Sequence, residues 1–463
     1  MPGLETAIFN LINYFIMGKD QIEKLIMPIK LCEKQKYMGE GKSTLIKYAV
    51  ASISGSTIEY YDFILAGLAA ALIWPTIYYP EVSSALGLLY SILTFALGIA
   101  VRPLGAYIFG FVGDRMGRKT STVWSLIMMG LGSLAVSLTP GYTTLGIIGG
   151  LLLFIWRIAQ GIAIGGTWGG FAVWVIEHAK DSKWRAFWTN FTSLGVGVGL
   201  LSSAGGFLLA ITLLSHSALL SWGWRLLFGI GALVALVGIV VRLRLAESPV
   251  FNELVAKKEI IKQPTITVLK EQWPRILKLA VLFNYQISLF YIAAAFNLGY
   301  MIGIGISPYL AFLSTSIAAV MIIIFQTIGS ILGDKIGRRR VILIGAILSA
   351  AFAFPYYILI NTRMAGDVIL GQSVFLAVVM FGFGVIGALM PENFPSKYRN
   401  SGASLSYQLA APMSAVASVV PPYFLTVFGG QAWIYIATLM IGICVASLIA
   451  LAFTAETIRV EVG

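Results

Sequence analysis

Four ionisable side chains in this 463-residue sequence stand inside long apolar runs: Glu59, Asp62, Arg102 and Arg157. A charge at the centre of a bilayer costs about 2.5 to 3.5 kcal/mol even on a lenient scale, so each needs a reason to be there. Glu59 and Asp62 are three residues apart, which on a helix puts both carboxyls on one face, continued by Ser52, Ser56 and Ala66. Arg102 lies between Gly98 and Gly105, and Arg157 lies one turn before Gln160. Burial favours the neutral form of a carboxyl and a nearby arginine favours the charged form. An acid and an arginine that move relative to one another therefore take up and release a proton. The alternative is a neutralised cluster that only pins its segments together, because buried ion pairs often act as specificity devices.

The elements that must hold these groups follow from composition. Hydrophobic residues make up 58% of the chain and charged residues 11%, with a mean hydropathy of +0.87, which excludes a soluble enzyme. Apolar windows fall near 47–74, 83–111, 120–139, 143–176, 186–214 and 222–241, then 276–303, 308–332, 341–361, 367–390, 400–427 and 431–454. The expected fold is an all-α polytopic membrane protein, with twelve transmembrane helices in two pseudo-symmetric six-helix bundles, 47–241 and 276–454. A central polar loop, 242–275, separates the bundles, and residues 1–46 and 455–463 form tails.

Of the 32 Lys and Arg residues, 28 fall in the tails and in the loops after spans 2, 4, 6, 8 and 10. Such a bias marks the cytoplasmic side. It predicts a multi-pass protein of the cell membrane with both termini cytoplasmic. The net charge of +12 is thus a topology signal, and no nucleic-acid partner is expected. Cys32 and Cys444 are far apart, and His178 and His216 are the only histidines, so neither a metal site nor a cofactor is expected. Residues 1–40 lack the basic start and cleavage site of a signal peptide and read as a polar tail or an interfacial helix.

An internal repeat supports two related halves: GFVGDRMGRK at 110–119 recurs as SILGDKIGRR at 330–339. Gly110 and Gly113 allow close packing, Gly117 allows a tight turn, and Asp114 can pair with Arg115 or Arg118 or cap the next helix. The pattern Gly, three residues, Asp, Arg, one residue, Gly, Arg, Lys resembles the turn between spans 2 and 3 of the major facilitator superfamily. Within it, IEYYDF at 58–63, VRPLGAYIFGFVGDRMGRK at 101–119, RIAQGIAIGGTWGG at 157–170, WGWR with RLRLAESPVF at 222–251, and PENFPSKYRNSGASL at 391–405 resemble the metabolite:proton symporters. Transporters of proline and betaine, α-ketoglutarate, citrate and shikimate belong to that family.

The resemblance implies a secondary transporter that works by alternating access and couples a small polar or carboxylate metabolite to protons. Glu59, Asp62, Arg102 and Arg157 stand at the family's proton-coupling positions. A cytoplasmic gate is implied at Gly110, Asp114, Arg115, Gly117 and Arg118 and their counterparts Asp334 and Arg338, with Glu177 and Arg185, and Glu392 and Arg399, as contacts in the later loops. One departure is Thr167, where the family carries Glu, so a proton-independent facilitator stays open, and an exporter of small metabolites is the other transport alternative. A membrane metabolite sensor is the alternative of another class. Candidate substrate contacts are Tyr61, Arg102, Arg157, Gln160, Asn284, Tyr285, Gln286, Gln326, Gln372, Tyr407 and Gln408. The expected partners are the substrate, the proton and the bilayer, with the chain working as a monomer.

A single cysteine placed at Asn252 or Glu259, in the central loop, is expected to resist a membrane-impermeant thiol reagent applied outside intact cells. Efficient labelling there would reverse the orientation.

Overall fold

In the computed structural model, residues 42–462 are described, and those from Tyr48 on form one compact unit. The expected tail or interfacial helix at 1–40, with Cys32, lies outside the described residues. Twelve long helical segments follow one another among the described residues. The first six are α1 (Lys42–Leu72), α2 (Ser84–Ala100 and Arg102–Met116), α3 (Arg118–Leu138), α4 (Ile147–His178), α5 (Arg185–Leu213) and α6 (His216–Leu243). The second six are α7 (Pro264–Gly303), α8 (Pro308–Ile336), α9 (Arg338–Asn361), α10 (Ala365–Glu392), α11 (Arg399–Gln408 and Ala410–Phe428) and α12 (Ala432–Ala452). Among the described residues, ten stretches are long and apolar enough to cross a membrane, and one of them, Ser396–Ala452, contains both α11 and α12.

The central segment departs from expectation. A short helix, Pro249–Ala256, forms within it, and α7 begins at Pro264, so the last twelve residues of the expected 242–275 loop are helical. Local chemistry explains both starts. Pro249 and Pro264 sit in the first turn, where a missing N–H costs nothing, and Ser248 caps its helix by accepting from the Phe251 amide. Ser307 caps α8 in the same way, through the Leu310 amide.

Helices approach closely where glycine removes the side chain. A Cβ on Gly105 of α2 would stand 2.0 Å from the Ile162 carbonyl oxygen of α4. One on Gly165 of α4 would stand 2.2 Å from the Arg102 carbonyl oxygen. This backbone contact fixes the depth at which α2 and α4 present Arg102 and Arg157. In the second six, Gly329 of α8 meets the Phe381 carbonyl of α10 at 2.0 Å by the same measure. Regular α-helix is interrupted mid-span in α7 by a π-turn at Ile292–Phe296 and in α10 by a 3-10 turn at Gly382–Val385. Both helices are well enclosed, with 78% and 89% of their most apolar windows buried against 33% for α6. Interruptions of this kind are tolerated at membrane depth only where protein surrounds the freed backbone groups.

Gly165→Leu is expected to lower stability by about 1–3 kcal/mol or more, because backbone rather than a movable side chain blocks the space. Gly205→Ala on α5, where nothing lies within 4 Å, is expected to be neutral. Loss of monodisperse protein on heating, followed by size-exclusion chromatography, would separate the two.

Candidate functional site

Two constellations join the first six helices to the last six. One is a charged latch at the basic end, and the other is an aromatic and polar centre.

At the basic end, α2 runs into the turn at Gly117, whose φ of 113° suits glycine. The Asp114 carboxylate accepts from the backbone amides of Asn400 (3.1 Å) and Ser401 (2.8 Å) at the start of α11. Asp334 repeats the arrangement by accepting from the amides of Ala186 and Phe187, both at 2.9 Å, at the start of α5. Each carboxylate therefore meets the positive end of a helix in the opposite half, where free amides and the helix dipole favour an anion. Gly110 lets α11 come close, since a Cβ there would lie 2.9 Å from the Ser401 Cα.

Each half adds an arginine and a glutamate. Arg118 pairs with Asp114 (3.1 Å) and donates to Glu177 and to the Gly113 carbonyl. Arg338 pairs with Asp334 (3.1 Å) and donates to Glu392 and to the Gly333 carbonyl. The contacts of the later loops differ from the pairing by sequence order. Glu177 pairs with Arg399 (3.2 Å) and Glu392 with Arg185 (3.3 Å), so both ion pairs cross between halves. Arg115 is exposed, lies over the Phe111 ring and takes no part in the network. Arg118, which faces inward, is the partner of Asp114.

Two glutamates that sequence reasoning missed complete the latch. Glu247 accepts from the Lys119 amide at the start of α3, and Glu456 accepts from the Arg338 and Arg339 amides at the start of α9. The neighbouring hydroxyls of Ser248 and Thr457 donate to Glu177 and Glu392. The signal was present as the short echo of Ala246-Glu247-Ser248 in Ala455-Glu456-Thr457.

In the centre, the four charges divide. Asp62 is tied inside the first half: Arg157 donates at 3.0 Å, Gln160 at 2.8 Å, and Ser133 donates to its other oxygen. Arg157 and Gln160 are themselves joined at 2.5 Å. Glu59 is fully buried, and neither of its oxygens accepts a hydrogen bond. Arg102 is the cation whose charge reaches it. Arg102 reaches the second half by donating to the Tyr291 hydroxyl of α7 at 3.1 Å, and it lies 4.2 Å over the Phe63 ring.

Next to this pair, Tyr60 hydrogen-bonds Tyr407 across the halves. Tyr407 stacks on Trp168 at 3.8 Å and on Phe283 at 4.5 Å, and Phe383 packs beside them. Gln408 donates to the Ile164 carbonyl of α4 and leaves its own oxygen unpaired. Gln286 also has an unpaired oxygen, and Gln326 has neither amide atom paired. Asn284 is half-buried and accepts from Ser288.

Other expected substrate contacts turn into packing. The Tyr61 hydroxyl donates to the Leu227 carbonyl of α6 within the first half. Gln372 bonds Tyr356 and the Ala293 carbonyl within the second half. Tyr285 accepts from Gln286 and lies against Gly345 and Gly382. Arg157 and Gln160 are consumed by Asp62. The aromatics Tyr60, Trp168, Phe283, Phe383 and Tyr291 were not singled out, since an aromatic in an apolar run carries no periodic mark of its partner. Thr167, at the family's Glu position, donates to the Ala163 carbonyl of its own helix.

Two sets of six membrane helices, latched at one end around buried polar groups, define a multi-pass transporter. The Major Facilitator Superfamily model matches residues 63–405, and the chain belongs to that superfamily. It is 34% identical over 425 residues to the inner membrane metabolite transport protein YhjE of Escherichia coli (strain K12), covering 89% of this chain and 94% of that protein. It is 32% identical over 424 residues to the shikimate transporter of the same organism, covering 86% and 92%. In fold it is similar to the proton:xylose symporter XylE bound to 6-bromo-6-deoxy-D-glucose, with a TM-score of 0.71 at 18% identity, covering 90% of this chain and 97% of that one. The protein is a metabolite transporter and not an enzyme.

Asp114→Asn removes a charge from the α11 N-terminus and is expected to shift the balance away from the latched state by about 1–2 kcal/mol, roughly 5- to 30-fold. Asp334→Asn is expected to act in the same direction at the α5 N-terminus, since both carboxylates are closed off from solvent, with side-chain exposures of 0% for Asp114 and 1% for Asp334. Distances between spin labels across the basic end would report the shift. An unchanged distribution in Asp114→Asn would remove the latch from the conformational balance.

Proposed function

We propose that the protein is a proton-coupled symporter of a small polar or carboxylate metabolite, alternating between two access states around the aromatic centre. The observation that carries this reading is the unequal treatment of the two α1 acids. Asp62 is held by three donors of its own half, so rocking of the halves leaves its surroundings intact. Glu59 has no donor and faces an arginine anchored to Tyr291 of the other half, so its charge state answers to relative motion of the halves.

In this mechanism Glu59 carries the proton and Arg102 is the moving counter-charge. The Asp62–Arg157–Gln160 cluster holds α1 against α4. Arg102, freed from Tyr291, docks an acidic group of the substrate, and Tyr407, Gln408, Gln286 and Gln326 offer hydrogen bonds beside the Trp168 and Phe283 rings. The names of the relatives, shikimate among them, agree with a small acid or zwitterion as substrate. The latch is the cytoplasmic gate, closed in this structure, and both termini lie in the cytoplasm, in accord with the distribution of Lys and Arg. Alternating access then requires the latch to open while the aromatic bridges between halves rearrange.

Proteoliposomes screened with organic acids and zwitterions, beginning with shikimate, proline and betaine, would find the substrate. A proton supplies about 2.3 kcal/mol per 100 mV and about 1.4 kcal/mol per pH unit only when its movement is tied to substrate. Glu59→Gln is expected to lose accumulation driven by a pH gradient while keeping exchange without a gradient. Asp62→Asn is expected to lose folded protein first. If Glu59→Gln still concentrates substrate and acidifies the lumen like the parent, the proton travels elsewhere.

A further inference from the structure

A cavity of about 700 Å³ opens at the basic end between α9, the end of α12 and the segment 456–459 that follows it. Four cations line it: Lys335, Arg339, Arg340 and Arg459. Its single acid, Glu456, has its oxygens occupied by the Arg338, Arg339 and Thr457 amides. Lys335, Arg340 and Arg459 form no ion pair among the described residues. Arg339 donates to the Leu451 carbonyl, and its Nε is buried without a partner. On the other wall, Leu343 is 42% exposed and Leu448 is half-buried.

The first half shows that this basicity is no by-product of the latch. At the equivalent turn, Thr120 stands where the second half has Arg340, and Val250, buried at 2%, stands where it has Arg459. Lys119, the counterpart of Arg339, donates to the Leu243 carbonyl. The same scaffold thus carries two more arginines in one half, both exposed and both facing the cavity.

We infer that this cavity is a binding site for one anionic phospholipid. Its phosphodiester would be gripped between Arg340 and Arg459, with Lys335 at the rim, and an acyl chain would lie along Leu343 and Leu448. Guanidinium pairs suit a phosphate at headgroup depth, and apolar side chains continue the site into the bilayer. The site also bears on the latch. The segment holding Arg459 presents the Ile458 and Val460 carbonyls to the Arg185 guanidinium at 2.8 and 2.6 Å, and Thr457 donates to Glu392. A lipid bridging Arg340 and Arg459 fastens that segment to α9 and so favours the latched state.

The test uses the full chain, purified, and R340Q/R459Q. Both side chains are exposed, and an unchanged unfolding temperature in phosphatidylcholine checks the fold of the variant. In native mass spectrometry with phosphatidylglycerol, the variant is expected to retain the lipid roughly 10- to 30-fold more weakly than the parent. Only the parent should gain thermal stability on moving from phosphatidylcholine vesicles to vesicles containing phosphatidylglycerol. Equal retention by parent and variant would overturn the site. Equal stabilisation of the parent by glycerol 3-phosphate would also overturn it, because the ligand would then be a free anion rather than a lipid. A photoreactive phosphatidylglycerol tests the parent alone: crosslinks in α9, at Lys335 or in 448–460 support the site, and crosslinks confined elsewhere refute it. None of these readouts depends on the substrate or on proton coupling.

Discussion

The structure depends on one constraint: in a bilayer, each buried charge and each helix end needs a partner from the protein itself. The latch meets that constraint with a single device used twice, a carboxylate placed on the first amides of a helix in the opposite half. Asp114 serves α11 and Asp334 serves α5, so four elements have their requirements met by two side chains. The satisfaction depends on the halves being together. Separating them would expose two carboxylates and two helix starts at once, and water must be available to replace the lost partners.

Around those carboxylates, Arg118 and Arg338 each hold an acid of their own half, while Arg399 and Arg185 cross to the other. Breaking one partner of a fully buried pair costs about 3–5 kcal/mol, largely because the remaining charge is stranded. Glu177 and Glu392 would keep partners without the crossing arginine, since Ser248 and Thr457 and the home arginines also bind them. Each acid is thus held twice, by contacts within its own half and by an arginine from the other.

The centre follows the opposite rule. Its links between halves are few and soft: a tyrosine pair, one arginine to a tyrosine hydroxyl, the Gln408 amide on the Ile164 carbonyl, and stacked rings. Unpaired amide oxygens at Gln286 and Gln408 and the unpaired carboxyl of Glu59 leave hydrogen-bonding capacity in hand, which a polar ligand would use. Rigid cores flank this region. The glycine contacts of α2 with α4 and of α8 with α10 bind the helices within each half backbone to backbone.

Much of this architecture was legible in the sequence. Apolar run length indicated the helices, because a bilayer imposes about 20 residues on each span, and the 110–119 and 330–339 repeat marked the paired turns. Intramembrane charge marked Glu59, Asp62, Arg102 and Arg157, because its cost makes it conspicuous. Partner choice was not legible. Arg118 and Arg115 are equally basic neighbours of Asp114, and only the helix rotation turns one inward. Glu59 and Asp62 share a face, yet only the position of Ser133 and Gln160 satisfies one acid and leaves the other bare. Tyr61 and Gln372 look like ligands for a substrate until their own halves close over them. The sequence states which groups are costly to bury, through composition and spacing, whereas which group meets which is decided by distances between helices far apart in the chain, and those exist only in the packed fold.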